Sequence, residues 1–233
     1  MREPAELGEL RRMSARVGKN ILLVQGAGGN SSIKDGDVLW VKASGTWLAD
    51  AEHKDIFVPV LLSAARAALA QGDERIPLAN RGSSALRASI ETCLHALMPH
   101  TVVLHVHSVN AIAWAVRTDA ADEFARRLHG LAWHRLDYYH PGLPLARAVS
   151  EATAQDAIDV LILGNHGLVV GAATCDAAEA LVHEVEGRLA VEPRIAPPAD
   201  DEALRRICVG TAYRLPADPL CHSVATDRCS RAI

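Results

Sequence analysis

The sequence predicts one α/β domain on a mixed sheet, and three observations carry that reading. Segments with apolar residues at helical spacing interleave with short β-rich runs along the chain. Asp35-Gly36, between SSIK and DVLWVK, is a two-residue hairpin signal, so at least one strand pair is antiparallel. The length of 233 residues, 49% hydrophobic and 22% charged, suffices for a full core, a domain taking roughly 100–200 residues. Four Trp, three Tyr and two Phe are few, so that core must be built from Ala, Val, Leu and Ile.

Residues 6–17 read as an opening helix, with Leu7, Leu10, Met13 and Val17 at helical spacing. An apolar run, Ile21 to Val24, leads into Gly26-Ala27-Gly28-Gly29-Asn30, and the hairpin follows. Residues 55–60 read as a short strand and 61–70 as an alanine-rich helix. The mixed stretch 76–88 is expected as loop, and 89–97 as a helix stopped near Pro99. Residues 101–107 form a compact β-rich run, and 109–116 are again helical. Prolines and Gly142 mark 134–144 as loop, with a helix over 145–156. Strands at 160–163 and 168–170 flank Gly164-Asn165-His166-Gly167, and a helix over 176–190 takes Asp176 as its N-cap. The segment EPRIAPPADDEA then breaks the pattern. The domain is therefore expected over 1–192, with 193–233 a proline-rich break and weakly patterned appendage. No internal repeat is present.

Composition excludes several classes of function. A net charge of -4 and a sequence pI near 6.2 argue against a nucleic-acid partner, which calls for a basic stripe. No apolar run reaches the ~18 residues of a membrane span. MREPAELGELRRMSARVG lacks the apolar block of a signal peptide, so the expected location is cytoplasmic. Cys93, Cys175, Cys208, Cys221 and Cys229 are odd in number and never form C-x-x-C, which argues against a disulfide framework or a cysteine zinc site. Eleven histidines are the more informative count.

Five motifs carry chemistry. Gly26-Ala27-Gly28-Gly29-Asn30-Ser31-Ser32 is not a dinucleotide fingerprint: its sixth position is Ser31, and it leads into a strand instead of a helix. It is either an ordinary glycine turn or a loop offering backbone N–H groups to an anion, with Ser44-Gly45-Thr46 able to close on the same ligand. His105-Val106-His107 places two imidazoles on one strand face, a start for a divalent metal that still needs a third ligand. His166, between glycines after a strand, is either that ligand or a turn histidine bonded to backbone. Glu91 lies four residues before His95 among apolar neighbours, and is either a charge at a helix start or a proton carrier. Tyr139 in Tyr138-Tyr139-His140-Pro141-Gly142 is a proton donor or a packing residue. His53, His100, His129, His134, His183 and His222 lack partners at metal spacing and read as structural or solvated.

In order and spacing, GGNSS, KASGT, ASIETCLHALMPHTVVLHVHS and LGNHGLVVG resemble the class II aldolase/adducin family, over residues 6–191. That group contains fuculose-phosphate and rhamnulose-phosphate aldolases and ribulose-phosphate 4-epimerase. The resemblance implies an α/β/α domain whose mixed, largely antiparallel sheet is flanked by helices, assembled as a homotetramer. It implies His105, His107 and His166 as ligands of Zn2+ or another divalent transition metal, and Glu91 as catalytic acid/base. It further implies that Asn30, Ser31, Ser44, Gly45 and Ser89 cradle a substrate phosphate, and that Tyr139 protonates the product aldehyde from a neighbouring subunit. The activity implied is a lyase reaction, reversible aldol cleavage of a ketose 1-phosphate to dihydroxyacetone phosphate and an aldehyde. Alternatives are a 4-epimerase or dehydratase on the same scaffold, or a non-catalytic adducin-like interaction domain that has lost its ligands. Ala88 stands where the family usually has proline, and the interval from Glu91 to His105 is shorter than in fuculose-phosphate aldolase. YRLPADP and HSVATD resemble the start of a further C-terminal region, here shortened.

Overall fold

In the computed structural model, residues 3–73, 76, 78–79, 86–192, 200, 202–203 and 206 are described. Two units divide the chain, Met1–Ala190 and Val191–Ile233. In the first, α1 (Leu7–Gly18) precedes the hairpin β1 (Asn30–Asp35) and β2 (Val38–Lys42), then β3 (Phe57–Leu61) and α2 (Leu62–Ala70). After these come α3 (Thr92–Leu97), β4 (Val102–Val106), α4 (Val109–Ala115), α5 (Ala120–Arg127), β5 (Trp133–Leu136) and α6 (Leu143–Gln155). The unit closes with β6 (Val160–Leu163), β7 (Gly167–Ala172) and α7 (Cys175–Leu189). The seven strands form one sheet in the order β3-β2-β1-β4-β7-β6-β5. Only β5 and β6 pair in parallel; every other neighbour is antiparallel. The expected mixed, largely antiparallel α/β architecture is the observed one.

Alternation along the strands separates two helical layers. Val102, Leu104 and Val106 of β4 pack with Leu10, Met13 and Val17 of α1 and Val182 and Val185 of α7. Val103 faces the other way, with Leu94 of α3 and Leu145 and Val149 of α6. The same parity sends His105 toward the α3 side. On β1, Ile33 belongs to the α1 layer. Ser31 shares that face, its Oγ 2.6 Å from Ser14 Oγ. Asn30 and Ser32 therefore point to the α3 side, where each finds a partner.

Several local expectations are corrected. Residues 133–136 form strand β5 inside the stretch expected as loop; WHRL lacks an apolar pattern because an edge strand has one neighbour and little burial. Helix α5 was not anticipated, since only Ala120 and Phe124 are buried and Glu123 pairs with Arg126 and Arg127 at 2.7 and 2.9 Å across its exposed side. Helix α3 starts at Thr92, leaving Ser89 outside and Glu91 as N-cap. Thr174 caps α7 in place of Asp176, its Oγ1 accepting from the Ala177 N–H at 3.2 Å. His222, Cys208, Cys221, Cys229 and the motifs YRLPADP and HSVATD lie outside the described residues. Among the described residues, no helix is long and apolar enough to cross a membrane.

Candidate active site

Four elements converge at the end of β4. His105 lies in β4 opposite Val169 of β7 and Asn30 of β1, and His107 follows just beyond the strand. His166 occupies the turn between β6 and β7, where Asn165 takes a left-handed φ of 49°. Glu91 enters from the start of α3, its side chain turned inward without capping the helix. The three imidazole centroids stand 5.0, 5.0 and 5.4 Å apart. One ligand atom from each of Glu91, His105, His107 and His166 lies within 4.8 Å of all the others.

Close backbone approach makes this convergence possible. A Cβ at position 167 would lie 2.4 Å from the Val106 carbonyl oxygen, and one at position 28 would lie 2.7 Å from His107 Nδ1. The glycines of GGN and NHG are thus spatial requirements of the histidine cluster as much as turn formers.

The hydrogen bonds decide what the cluster can hold. Nδ1 of His105 lies 3.1 Å from the Leu168 carbonyl oxygen and can meet it only as a donor. In the neutral ring that leaves a lone pair on Nε2, which faces Glu91 Oε1 at 3.2 Å without hydrogen-bond geometry. Nε2 of His166 stands 3.0 Å from the same oxygen, and its buried Nδ1 has no partner among the described residues. The His105 lone pair directed at a carboxylate oxygen repels it unless a positive charge joins them. A proton or a metal cation satisfies the arrangement, so the donor set fits a divalent transition metal. Asn30 Nδ2 holds the other oxygen, Oε2, and also reaches Ser89 Oγ at 3.2 Å.

Charge and burial compete at each group. Burial would raise the Glu91 carboxyl, but positive charge on His105 and His166 outweighs it and holds the acid well below its usual range. Burial would likewise lower His105, but Glu91 opposite it pulls the imidazole up. His107 is pushed down to about 4 by burial and then by the charge of His105, so it is neutral at pH 7 and has a lone pair to offer. His95, fully buried with Nδ1 2.8 Å from Ser32 Oγ, falls to about 3 for the same two causes.

The residues expected to cradle a phosphate divide into three groups. Ser44 and Ser89 line one cleft of about 460 Å³ together with Arg87 and Ile90. Ala43 bridges to Ala88, and the Ser44 N–H donates to the Arg87 carbonyl at 2.9 Å, which brings the two segments together. Gly45, with φ 75°, forms the exposed turn beside Ser44. Asn30 is buried against Glu91, and the Ser31 side chain is on the opposite face of β1. Tyr139 is 40% exposed in the loop after β5 and makes no hydrogen bond to another described residue.

Sequence reasoning passed over Lys42, whose side chain is buried and donates to the Thr46 carbonyl in the turn after β2. The signal was present: Lys42 has the parity of Trp40, a core residue, and a charge at a core position needs a reason. Arg87, a cation on the cleft, was also missed; its neighbourhood reads as featureless loop.

Residues 9–192 match the family model described as Class II Aldolase and Adducin N-terminal domain. A relative from Bacillus subtilis, named as an uncharacterized oxidoreductase YuxG, is 27% identical over 190 residues, covering 74% of this chain and 27% of that protein. The chain thus spans about a quarter of that relative's length. The N-terminal class II aldolase domain of a conserved Thermoplasma acidophilum protein superposes with a TM-score of 0.70 at 26% identity, over 81% of this chain and 94% of that one. An L-fuculose-1-phosphate aldolase from Thermus thermophilus shares the fold, with a TM-score of 0.52 at 17% identity over 86% and 97% of the two chains.

Proposed function

The chain belongs to the class II aldolase and adducin family, and on that premise we propose that it is a metal-dependent aldehyde-lyase. Its reaction is reversible aldol cleavage of a ketose 1-phosphate to dihydroxyacetone phosphate and an aldehyde. One observation supports the reading: a buried carboxylate, Glu91, gathered with three histidines into a donor set that could hold a metal ion.

His105, His107 and His166 would hold the metal, zinc being suited to three imidazoles, and when bound it supplies Lewis-acid polarisation of substrate oxygens. Glu91 carries the proton to and from the carbon at which the C–C bond breaks, using Oε1, the oxygen turned to the cluster. Asn30, donating to Oε2, fixes the carboxylate plane so that Oε1 alone stays available. Ser44, Gly45 and Ser89 hold the phosphate away from the reacting carbon, with Arg87 adding charge at the cleft. The exposure of Tyr139 within one chain suits a role at the aldehyde oxygen of a neighbouring subunit's site in a homotetramer.

The test has two steps. Protein purified without chelators is assayed for bound metal, and then screened for aldol cleavage across ketose 1-phosphates and their unphosphorylated forms. Metal binding with cleavage of a phosphorylated ketose supports the assignment. Full metal occupancy with isomer exchange and no released aldehyde would replace it by an epimerase.

A further inference from the structure

The three histidines of the cluster are held by different means. His105 is oriented through its own ring, with Nδ1 on the Leu168 carbonyl at 3.1 Å. His166 is set by the tight turn between β6 and β7, where Asn165 is left-handed. His107 makes no ring hydrogen bond to another described residue. Its ring abuts Gly28, and it lies one position beyond Val106, the last paired residue of β4. The direction of the His107 ring is therefore left to the main chain around it.

The next three residues are each tied to another segment. Ser108, fully buried, turns the chain from β4 into α4. Its Oγ accepts the Ala111 N–H at 2.9 Å and donates its own proton to Oε1 of Glu186, on α7. The Val109 N–H donates to the Leu22 carbonyl at 2.9 Å. Asn110 Nδ2 donates to Oε2 of the same Glu186 at 2.9 Å. One carboxylate thus spans the start of α4, with one oxygen on each of two residues just after His107.

We propose that Glu186 is a positioning residue for His107: by holding Ser108 and Asn110 it fixes the turn that aims the His107 ring at the cluster. The proposal rests on the reading of His107 as a metal ligand given above. Ligand rings are ordinarily oriented by partners outside the metal's own ligand set, and here the partner acts through the main chain instead of the ring. Reach is what the geometry demands, because each oxygen meets a donor on a different residue. A shorter carboxylate keeps the charge but cannot span both donors, whereas an amide of the same length keeps one accepting oxygen.

Zinc affinity, measured by competition with a chromophoric chelator, tests it alongside melting temperature and the histidine ring resonances of the metal-free protein. Glu186→Ala should weaken zinc binding by about tenfold to a hundredfold, as loss of such outer partners does. It should also shift the His107 ring resonances more than those of His105 and His166. Glu186→Asp should behave likewise, and Glu186→Gln should recover part of the affinity. Glu179→Ala breaks the ion pair of α7 with Arg16, and should lower the melting temperature with zinc affinity unchanged. Unchanged zinc affinity in folded Glu186→Ala overturns the proposal, and so do equal shifts at all three histidines, which mark a general loosening. If Glu186→Ala does not fold, Glu186→Asp decides by the same two readouts. Failure of both to fold marks a structural role and overturns the proposal as well. Native protein that binds no zinc, or binds it as tightly after His107→Ala, removes the ligand reading and the role of Glu186 with it. Native binding that depends on His107 and not on Glu186 overturns the proposal alone.

Discussion

Strand β4 has a histidine facing a carboxylate near each end, and the two pairs are built for different purposes. Before the strand, His100 Nε2 stands 2.7 Å from Asp159 Oδ1, with side chains 18% and 51% exposed. In the strand, near its far end, His105 Nε2 faces Glu91 Oε1 at 3.2 Å, with side chains 0% and 10% exposed. The first pair is joined by a hydrogen bond and its carboxylate is open to water, although Nδ1 of His100 is buried without a partner among the described residues. In the second the carboxylate is buried as well: a backbone carbonyl holds one nitrogen of His105, the other faces Glu91 without a hydrogen bond, and two more histidines crowd the same carboxylate. A short histidine–carboxylate contact is therefore no mark of a site; a buried carboxylate shared by several histidines is.

The sharpest way to break this contrast is to remove one histidine from each end. His105→Ala should lower metal content from about one ion per chain toward zero and abolish turnover, since a zinc site needs at least three protein ligands. Elemental analysis of folded protein checks it, and full retention of metal would dissolve the distinction.

Glu91→Gln probes the carboxylate half without removing a histidine. Turnover should fall ~10²–10⁴-fold, the usual contribution of a positioned acid or base, with metal still bound. Steady-state aldol cleavage with metal analysis reads both quantities. Unchanged turnover would return Glu91 to a structural role.

Gly167→Ala tests whether the buried end depends on backbone proximity. The new Cβ would meet the Val106 carbonyl oxygen at 2.4 Å, a contact that only backbone movement relieves. Denaturant unfolding should show a loss of about 1–3 kcal/mol, as overpacking does, and metal affinity should fall as His166 shifts.

The pH dependence has a definite sign. His95, beside the cluster, is pushed down to about 3 from 6.5 by burial and by the charge of His105. With its folded pKa below its unfolded one, its contribution is fully present above pH 6.5 and is lost as pH falls from there toward about 3. Metal-free protein should thus weaken as pH falls below 6.5, and His95→Leu should make the urea midpoint less steep across that window, His107, pushed down to about 4, supplying a remaining slope.

His100→Ala gives the smallest effect. The pair lies away from the cluster, so metal content and turnover should stay unaltered and only the unfolding midpoint should shift.

How much of this was legible follows from what kind of information each feature needs. The hairpin at Asp35-Gly36, the β-rich run before His107 and the helices α1, α6 and α7 are local patterns, and they emerged within a few residues of their observed ends. Strand β5 and helix α5 were missed because their burial comes from one neighbouring strand and one phenylalanine, too little to impose a period. Ser31 shows the same limit at the site: its side-chain direction depends on whether the strand starts at Asn30 or a residue away, a parity set by pairing with β4.

By itself the sequence determined which groups are available: H-x-H on a strand, a histidine between glycines, a carboxylate before a helix, and glycine loops with small hydroxyls. These follow from side-chain chemistry and two short periodicities, 2.0 and 3.6 residues, which any local stretch displays. Tertiary structure alone decided that Glu91 faces His105 and His166 through one oxygen, and that Asn30 serves the carboxylate. It alone revealed that Lys42 joins two loops 15 and 4 residues from it in the chain. Those relations are distances between segments, fixed by sheet register and by the close approach of backbones at Gly28 and Gly167. No local pattern encodes a distance of that kind, because it is the packed core that brings the segments together.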